Sequence, residues 1–367
     1  MASNQALSMV LEEFGKALQP RHVSLPEPEP GAVLVRMAAA GVCGSDLDIA
    51  GGKDPRIRLP LVLGHEGVGR VEAIGGPRAD IFGRPLAMGD LVIWNRGLSC
   101  MHCHVCLVRR QPALCSNRRV YGITIGADEP PRLNGCYGTH LYLRPETDII
   151  KLPPDVDPAV VVPATCSGAT AAHAVEQADI QIGQVVLILG PGPLGLFAAA
   201  LAWERGARAV LIEGTRRGAR RLALAESFGC RAINIHETSA EERAALVAEE
   251  TFGHGADVVI DAAGTVESFA EAMALVTRGG RIVLPGVATP LGTVPVKLYE
   301  DLSSRNISLN GTWVSDTAHL WHAVCTVLSG RYPLAEMITH RFPVEQANEA
   351  LAALAGRQAT KAVLVEN

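Results

Sequence analysis

Apolar positions along the chain follow two different rhythms. Up to about residue 153 they fall in short β-type runs, residues 32–37, 67–73 and 90–94, set among glycine and proline, which predicts an irregular, mainly β region. After about residue 158 the rhythm lengthens, and compact apolar strands at 184–189, 209–212, 231–235, 256–261 and 281–284 alternate with helical patterns. Between the last two strands, residues 267–277 place Phe269, Met273 and Val276 on one helical face, with Gly279 and Gly280 as the stop. Such alternation predicts βαβ units on a doubly wound parallel sheet of about five strands. Helical segments return from about residue 318 and lead to a strand-like run at 361–365, which is expected to rejoin the first region.

A length of 367 residues exceeds one ordinary core and suits two. The 33 basic and 38 acidic residues give a formal charge of −5 with no long run of either sign, which argues against nucleic acid or an anionic membrane surface and for small ligands. The longest apolar stretches, 185–189 and 194–202, are too short to span a bilayer, and the N-terminal residues lack the layout of a signal peptide. A cytoplasmic location is therefore expected. Nine cysteines, four of them clustered, fit a reducing compartment in which thiols serve metals.

Within that cluster Cys100, Cys103 and Cys106 step at intervals of three, and Cys115 follows. Thiolates at this spacing can fold around one tetrahedral Zn²⁺, and four protein ligands leave no position for substrate, so the ladder reads as a structural staple. His102 and His104 read as surface residues, because the thiolates suffice. A second motif is the apolar run 185–189 leading directly into Gly190-Pro191-Gly192-Pro193-Leu194-Gly195 and a helical pattern. Glycines here allow the tight turn and the close approach of a pyrophosphate to a helix N-terminus, so Gly190, Gly192, Pro193, Leu194 and Gly195 are expected to bind a dinucleotide. Glu213 ends the second strand and would hold a ribose 2′-hydroxyl of NAD, whereas Arg216 in Gly214-Thr215-Arg216-Arg217 would suit the 2′-phosphate of NADP. NAD is favoured over NADP.

Cys43 and His65 lie in glycine-flanked turns, Gly41-Val42-Cys43-Gly44-Ser45-Asp46 and Gly64-His65-Glu66-Gly67. With Cys166 they supply the three ligands of a catalytic zinc whose fourth position stays open. Asp46 and Glu66 suit supporting roles, orienting the imidazole and tuning the charge of the ion. Isolated cysteines are more often small buried hydrophobes, so spacing alone leaves this set open.

Taken together, Leu25-Pro26-Glu27-Pro28, the Cys43 and His65 turns, the four-cysteine ladder and the glycine loop resemble a zinc-dependent medium-chain alcohol dehydrogenase of the medium-chain dehydrogenase/reductase superfamily, almost end to end. The resemblance implies an α/β protein with a GroES-like, mainly β catalytic domain (1–160 and 315–367) and a doubly wound Rossmann coenzyme domain (161–314). It implies two zinc ions per chain, one structural on the ladder and one catalytic on Cys43, His65 and Cys166, and hydride transfer between an alcohol, or its aldehyde or ketone, and a nicotinamide cofactor. Ser45 matches the family's hydroxyl that takes the substrate proton, and Thr170 matches a residue near the nicotinamide. A hydrogen bond to the local backbone is the alternative for both, though the family role is preferred for Ser45. A homodimer or homotetramer is implied, joined through strand edges at 306–313, a stretch that also reads as a strand of the sheet itself.

Departures from the family pattern matter as well. Asp48 stands where many relatives carry the histidine at the outer end of the proton relay, so the relay ends differently or in water. Eight residues separate Cys106 from Cys115, one more than the commonest spacing. Polyol and threonine branches often place glutamate near the position of Cys166, and a polyol or sugar-alcohol dehydrogenase is the second reading. The remaining alternatives are a zinc-independent quinone-reductase-like enzyme, whose relatives usually lack the ligands kept here, and a non-enzymatic nucleotide-binding protein on the same fold. With an aromatic share of 4%, Trp94 and Trp313 stand out as pocket or core residues, and Asn95 with Arg96 would favour a hydroxylated or anionic alcohol. His173 reads as a packing residue.

Overall fold

The computed structural model describes residues 5–215 and 218–366, so Arg216 lies outside the described residues. By its internal contacts the chain divides into two units, Met1–Cys166 with Asp316–Val324 and Ile338–Asn367, and Ser167–Ser315 with Cys325–Met337. Residues 325–337, expected with the first domain, thus group with the second unit. Among the described residues no helix is long and apolar enough to cross a membrane.

The first unit is built around the strand Val33–Val42, whose alternate apolar residues fill the core beside Trp94, Tyr121 and Tyr137. It pairs antiparallel with Gly67–Ile74, with His140–Leu143 and with Lys361–Val365. The last of these sets Ala362 opposite Val42 and Val363 opposite Gly41, so Lys361 arrives beside Cys43. Strand register, more than sequence proximity, therefore assembles this end of the sheet. A two-stranded ribbon, Gly97–Leu98 against Arg119–Val120, carries the cysteine ladder between its arms.

The second unit holds a six-stranded parallel sheet in the order Arg231–Asn234, Ala209–Gly214, Val185–Leu189, Ala256–Asp261, Val276–Leu284, Ser308–Gly311. All five residues of Val185–Leu189 are buried, as a central parallel strand requires, and each contributes about 1.5–3 kcal/mol of burial. The chain moves to one side of this strand and then to the other, so a topological switch point lies at its carboxyl end. Two details differ from the sequence expectation. The helix is Val266–Leu275, and Val276, already extended at φ −70 and ψ 138, opens a strand that runs through Gly279 at φ +74. Its β-branched Val276 and Thr277 favour the extended chain over a further helical turn. The sixth strand, Ser308–Gly311, has only one partner and stands at the edge of the sheet.

Candidate active site

Cys43 follows the long strand Val33–Val42 and caps the helix Gly44–Ala50, while His65 and Glu66 follow the short strand Leu61–Val62 and Cys166 closes the turn Val162–Thr165. These four residues place one ligand atom each within 4.8 Å of all the others. The two sulfurs are 4.0 Å apart, close to the roughly 3.8 Å that a tetrahedral ion with about 2.3 Å bonds to sulfur demands. The donor set therefore fits zinc. Asp46 accepts from the Cys43 amide at 2.9 Å and from the Tyr137 hydroxyl at 2.9 Å, and its other oxygen lies 3.1 Å from His65 Nδ1. That contact fixes the ring and leaves Nε2 for a metal.

Glu66 is not behind the ligands, as its sequence position suggested, but among them. Its carboxylate oxygens sit 2.8 and 2.7 Å from Lys361 Nζ, and the two side chains are 0% and 2% exposed. A Cβ on Gly41 would fall 1.9 Å from Glu66 Oε2, so only glycine leaves room for this carboxylate. Sequence reasoning missed Lys361. The available signal was a lysine opening an otherwise apolar strand, Lys361-Ala362-Val363-Leu364-Val365.

Electrostatics bind the cluster together. Burial opposes an imidazolium at His65, but the charge and hydrogen bond of Asp46, followed by Cys43, outweigh it and push the group up to about 10. The hydrogen bond between the two cysteines draws the Cys166 thiol down and raises Cys43 well above its ordinary value, with the Arg96 charge a further pull on Cys166. Burial likewise opposes the charge on Lys361, and Glu66 overcomes it. Ser45 Oγ lies 3.8 Å from Cys43 Sγ. Asp48 pairs with Lys53 at 3.1 Å, and among the described residues no hydrogen bond joins it to Ser45.

The ladder closes despite its longer last gap. Cys115 Sγ is 3.4 Å from Cys100 Sγ and 4.0 Å from Cys103 Sγ, and Cys103 is 3.5 Å from Cys106, spacings a tetrahedral tetrathiolate zinc accepts. The connection is taken up by the left-handed Arg110, φ 53, and the turn Pro112–Leu114. The backbone N–H of His102 is the largest influence on Cys100, which is drawn down to about 6. His102 and His104 are exposed and stand outside the cluster.

In the second unit Val185–Leu189 runs into Gly190, φ 106, and Gly192 caps the helix Pro193–Glu204 with Pro193 in its first turn. A Cβ on Gly195 would lie 2.0 Å from the Gly190 carbonyl, whereas one on Gly192 would meet nothing within 4 Å. Gly195 thus permits the turn, and Gly192 leaves open space at the helix N-terminus for a pyrophosphate. Glu213 faces Leu189 across the sheet, 3% exposed, with Oε1 buried and unpartnered among the described residues. Burial first, and then the nearby Glu271, pushes its carboxyl up to about 7. An orphaned acceptor at this place fits the hydroxyls of a coenzyme ribose. Thr170 lies on the helix Ser167–Ala178 of the same unit, and His173 there packs through Nδ1 against the Val314 carbonyl at 2.8 Å.

The remaining aromatic and polar candidates divide plainly. Trp94 is core, 1% exposed, with its ring against Gly67, while Trp313 is 40% exposed. Asn95 spends its amide on Thr317 at 2.9 Å and on the Gly97 N–H at 3.0 Å. Arg96 is buried and donates to the carbonyl of Thr165, the residue before Cys166.

Comparison with known proteins agrees with this geometry. The profile of the alcohol dehydrogenase GroES-like domain matches residues 29–154, and that of the zinc-binding dehydrogenases matches residues 193–329. The 5-exo-hydroxycamphor dehydrogenase of Pseudomonas putida is 32% identical over 334 residues, 90% of each chain. An alcohol dehydrogenase from Thermotoga maritima superposes with a TM-score of 0.95 at 42% identity, covering 99% of this chain and 100% of its own. A putative zinc-binding dehydrogenase from Sinorhizobium meliloti, crystallised with NADP, gives a TM-score of 0.85 at 26% identity over 99% of both chains.

Proposed function

The chain belongs to the zinc-dependent medium-chain alcohol dehydrogenase family, and from that membership we propose an enzyme that uses NAD in preference to NADP and holds two zinc ions per chain. One observation carries the assignment of the reaction centre: two thiols, an imidazole and a carboxylate gathered within 4.8 Å around space for one ion. Cys43, His65 and Cys166 would hold the catalytic zinc, and Cys100, Cys103, Cys106 and Cys115 the structural one. When bound, zinc lowers the pKa of an alcohol hydroxyl and the nicotinamide accepts hydride, so alcohol and oxidised coenzyme yield carbonyl compound, reduced coenzyme and one proton.

The protein's own groups do the rest. Asp46 holds the His65 ring through Nδ1, and Tyr137 holds Asp46. Lys361 neutralises Glu66, so the carboxylate stays beside the ligands without adding net charge. Ser45 Oγ, two residues beyond Cys43, is the hydroxyl that would take the substrate proton. Glu213 Oε1 would accept from the coenzyme ribose, and Gly190, Gly192, Pro193, Leu194 and Gly195 would cradle the pyrophosphate, with Thr170 towards the nicotinamide. The unpaired edge of Ser308–Gly311, where Leu309 is 39% exposed, supports a homodimer formed by edge pairing, with a homotetramer as its further assembly.

Metal analysis with coenzyme titration tests this reading. About two zinc ions per chain are expected, and Cys43→Ser or His65→Ala should abolish turnover while leaving nucleotide binding in place. Either variant retaining activity refutes the assignment.

A further inference from the structure

Just beyond the metal-ligand cluster the first unit concentrates positive charge. Arg96 is 5% exposed, and its guanidinium abuts the Thr165 carbonyl next to Cys166. In the ribbon that carries the cysteine ladder, Gly97 pairs with Val120 and the Tyr121 amide bonds to the Arg96 carbonyl at 3.1 Å. This register lays the Arg118 side chain over the neighbouring residue. A Cβ on Gly97 would sit 2.1 Å from Arg118 Nη2 and 2.4 Å from its Cζ, so the Arg118 guanidinium lies over the residue that follows Arg96.

Their charges act on one another. Arg118 is brought down to about 9, first by burial and then by Arg96 and Arg56. Arg56 is already matched by Asp54, at 2.6 Å. Arg96 makes no ion pair among the described residues. Around the cluster itself the negative groups already have partners, because two thiolates offset a divalent zinc, Lys361 offsets Glu66, and Asp46 is held by His65, Tyr137 and the Cys43 amide. Arg96 is thus a buried guanidinium with no carboxylate of its own among the described residues, an arrangement whose desolvation is expensive unless an anion arrives to match it. Guanidinium groups are the side chains suited to carboxylate and phosphate, through paired N–H donors.

We propose that the substrate of this centre is an anionic alcohol or its carbonyl counterpart, bearing a carboxylate or phosphate near the reacting carbon, and that Arg96, backed by Arg118, receives that anion. The inference rests on the dehydrogenase reading and narrows its substrate class. The cysteine ladder then acquires a second effect, since its ribbon is what sets Arg118 against Gly97.

Matched probes test the proposal on the zinc-loaded enzyme. 3-Hydroxybutyrate is compared with 3-hydroxybutyramide, and glycerol 3-phosphate with glycerol, as kcat/KM with NAD⁺ and NADP⁺ and as calorimetric affinity for the enzyme carrying reduced coenzyme, which does not turn an alcohol over. In at least one pair the anion is favoured on the order of 100-fold, and the pair preferred identifies carboxylate or phosphate. Arg96→Gln removes the preference, Arg96→Lys restores part of it, and Arg118→Gln weakens it with the Thr165 contact left in place. Comparing the pairs on the unaltered enzyme keeps the test independent of whether the Arg96 variants fold. Turnover of neutral alcohols with no anion preference overturns the inference and leaves the dehydrogenase standing. Anion binding that depends on Arg96, with no alcohol oxidised, supports the inference and sinks the dehydrogenase reading. Absence of any anion preference in both measurements also overturns it.

Discussion

Replacing Lys361 with methionine keeps most of the side-chain volume and removes one charge. The partner left behind, Glu66, is 0% exposed and held in place by the glycine at position 41, so water cannot reach it without rearrangement. At 2.7 Å and an effective dielectric of 20 the pair interacts by about 6 kcal/mol, an upper bound from which desolvation must be subtracted. Breaking a buried pair by deleting one partner costs about 3–5 kcal/mol. For a unit of this size Lys361→Met should then lower the melting temperature by on the order of 10 °C. The double variant Glu66→Gln with Lys361→Met should recover most of the loss, because the orphaned charge is gone. Calorimetric melting of the zinc-loaded protein at neutral pH measures all three. A single variant that melts within about 2 °C of the parent, or a double variant no better than the single, would refute the claim that this pair is mutually dependent.

Two further outcomes follow from the coenzyme strand and from the ladder. Glu213 keeps its proton up to about 7 in the fold against an ordinary value of 4.5, so the protein without coenzyme binds more protons than its unfolded chain between those limits and loses stability, by about 3 kcal/mol, as pH rises through them. Pulse proteolysis across that range should show the slope, with Glu213→Gln flattening it, and the affinity for NAD should rise over the same upper limit as Oε1 becomes a charged acceptor. Cys115→Ala should lower the zinc content by about one ion per chain and reduce thermal stability while NAD binding persists, read by metal analysis and nucleotide titration.

Much of the architecture was legible because its signals are local. The glycine loop, the five strands and the cysteine ladder each declare themselves within sixteen residues or fewer. Cys43, His65 and Cys166 are far apart in sequence, so their residue types suggested a ligand set that spacing left open until the family resemblance joined them; the geometry then gathers them with Glu66 inside one cluster. What stayed hidden depends on register. The Glu66–Lys361 pair is set by which residue of the last strand faces Val42, and no periodicity reports that. The edge strand Ser308–Gly311 was legible as a strand within 306–313, but its position beside Val276–Leu284 comes from pairing. The helix before that strand ended early because Val276 and Thr277 prefer extended backbone. Arg118 reaches Gly97 only through the ribbon that closes the ladder.

The strand Lys361–Val365 also imposes an order of events during synthesis. Glu66 waits for a cation supplied 295 positions later, whereas every strand of the parallel sheet has emerged by residue 311. On the ribosome the coenzyme-binding sheet can therefore close first, while the older half of the polypeptide stands with an open sheet edge and an unmatched acid in its core. Nascent chains stalled before residue 361 should expose that edge to chaperones and to self-association, and release of the final segment is the step that seals it.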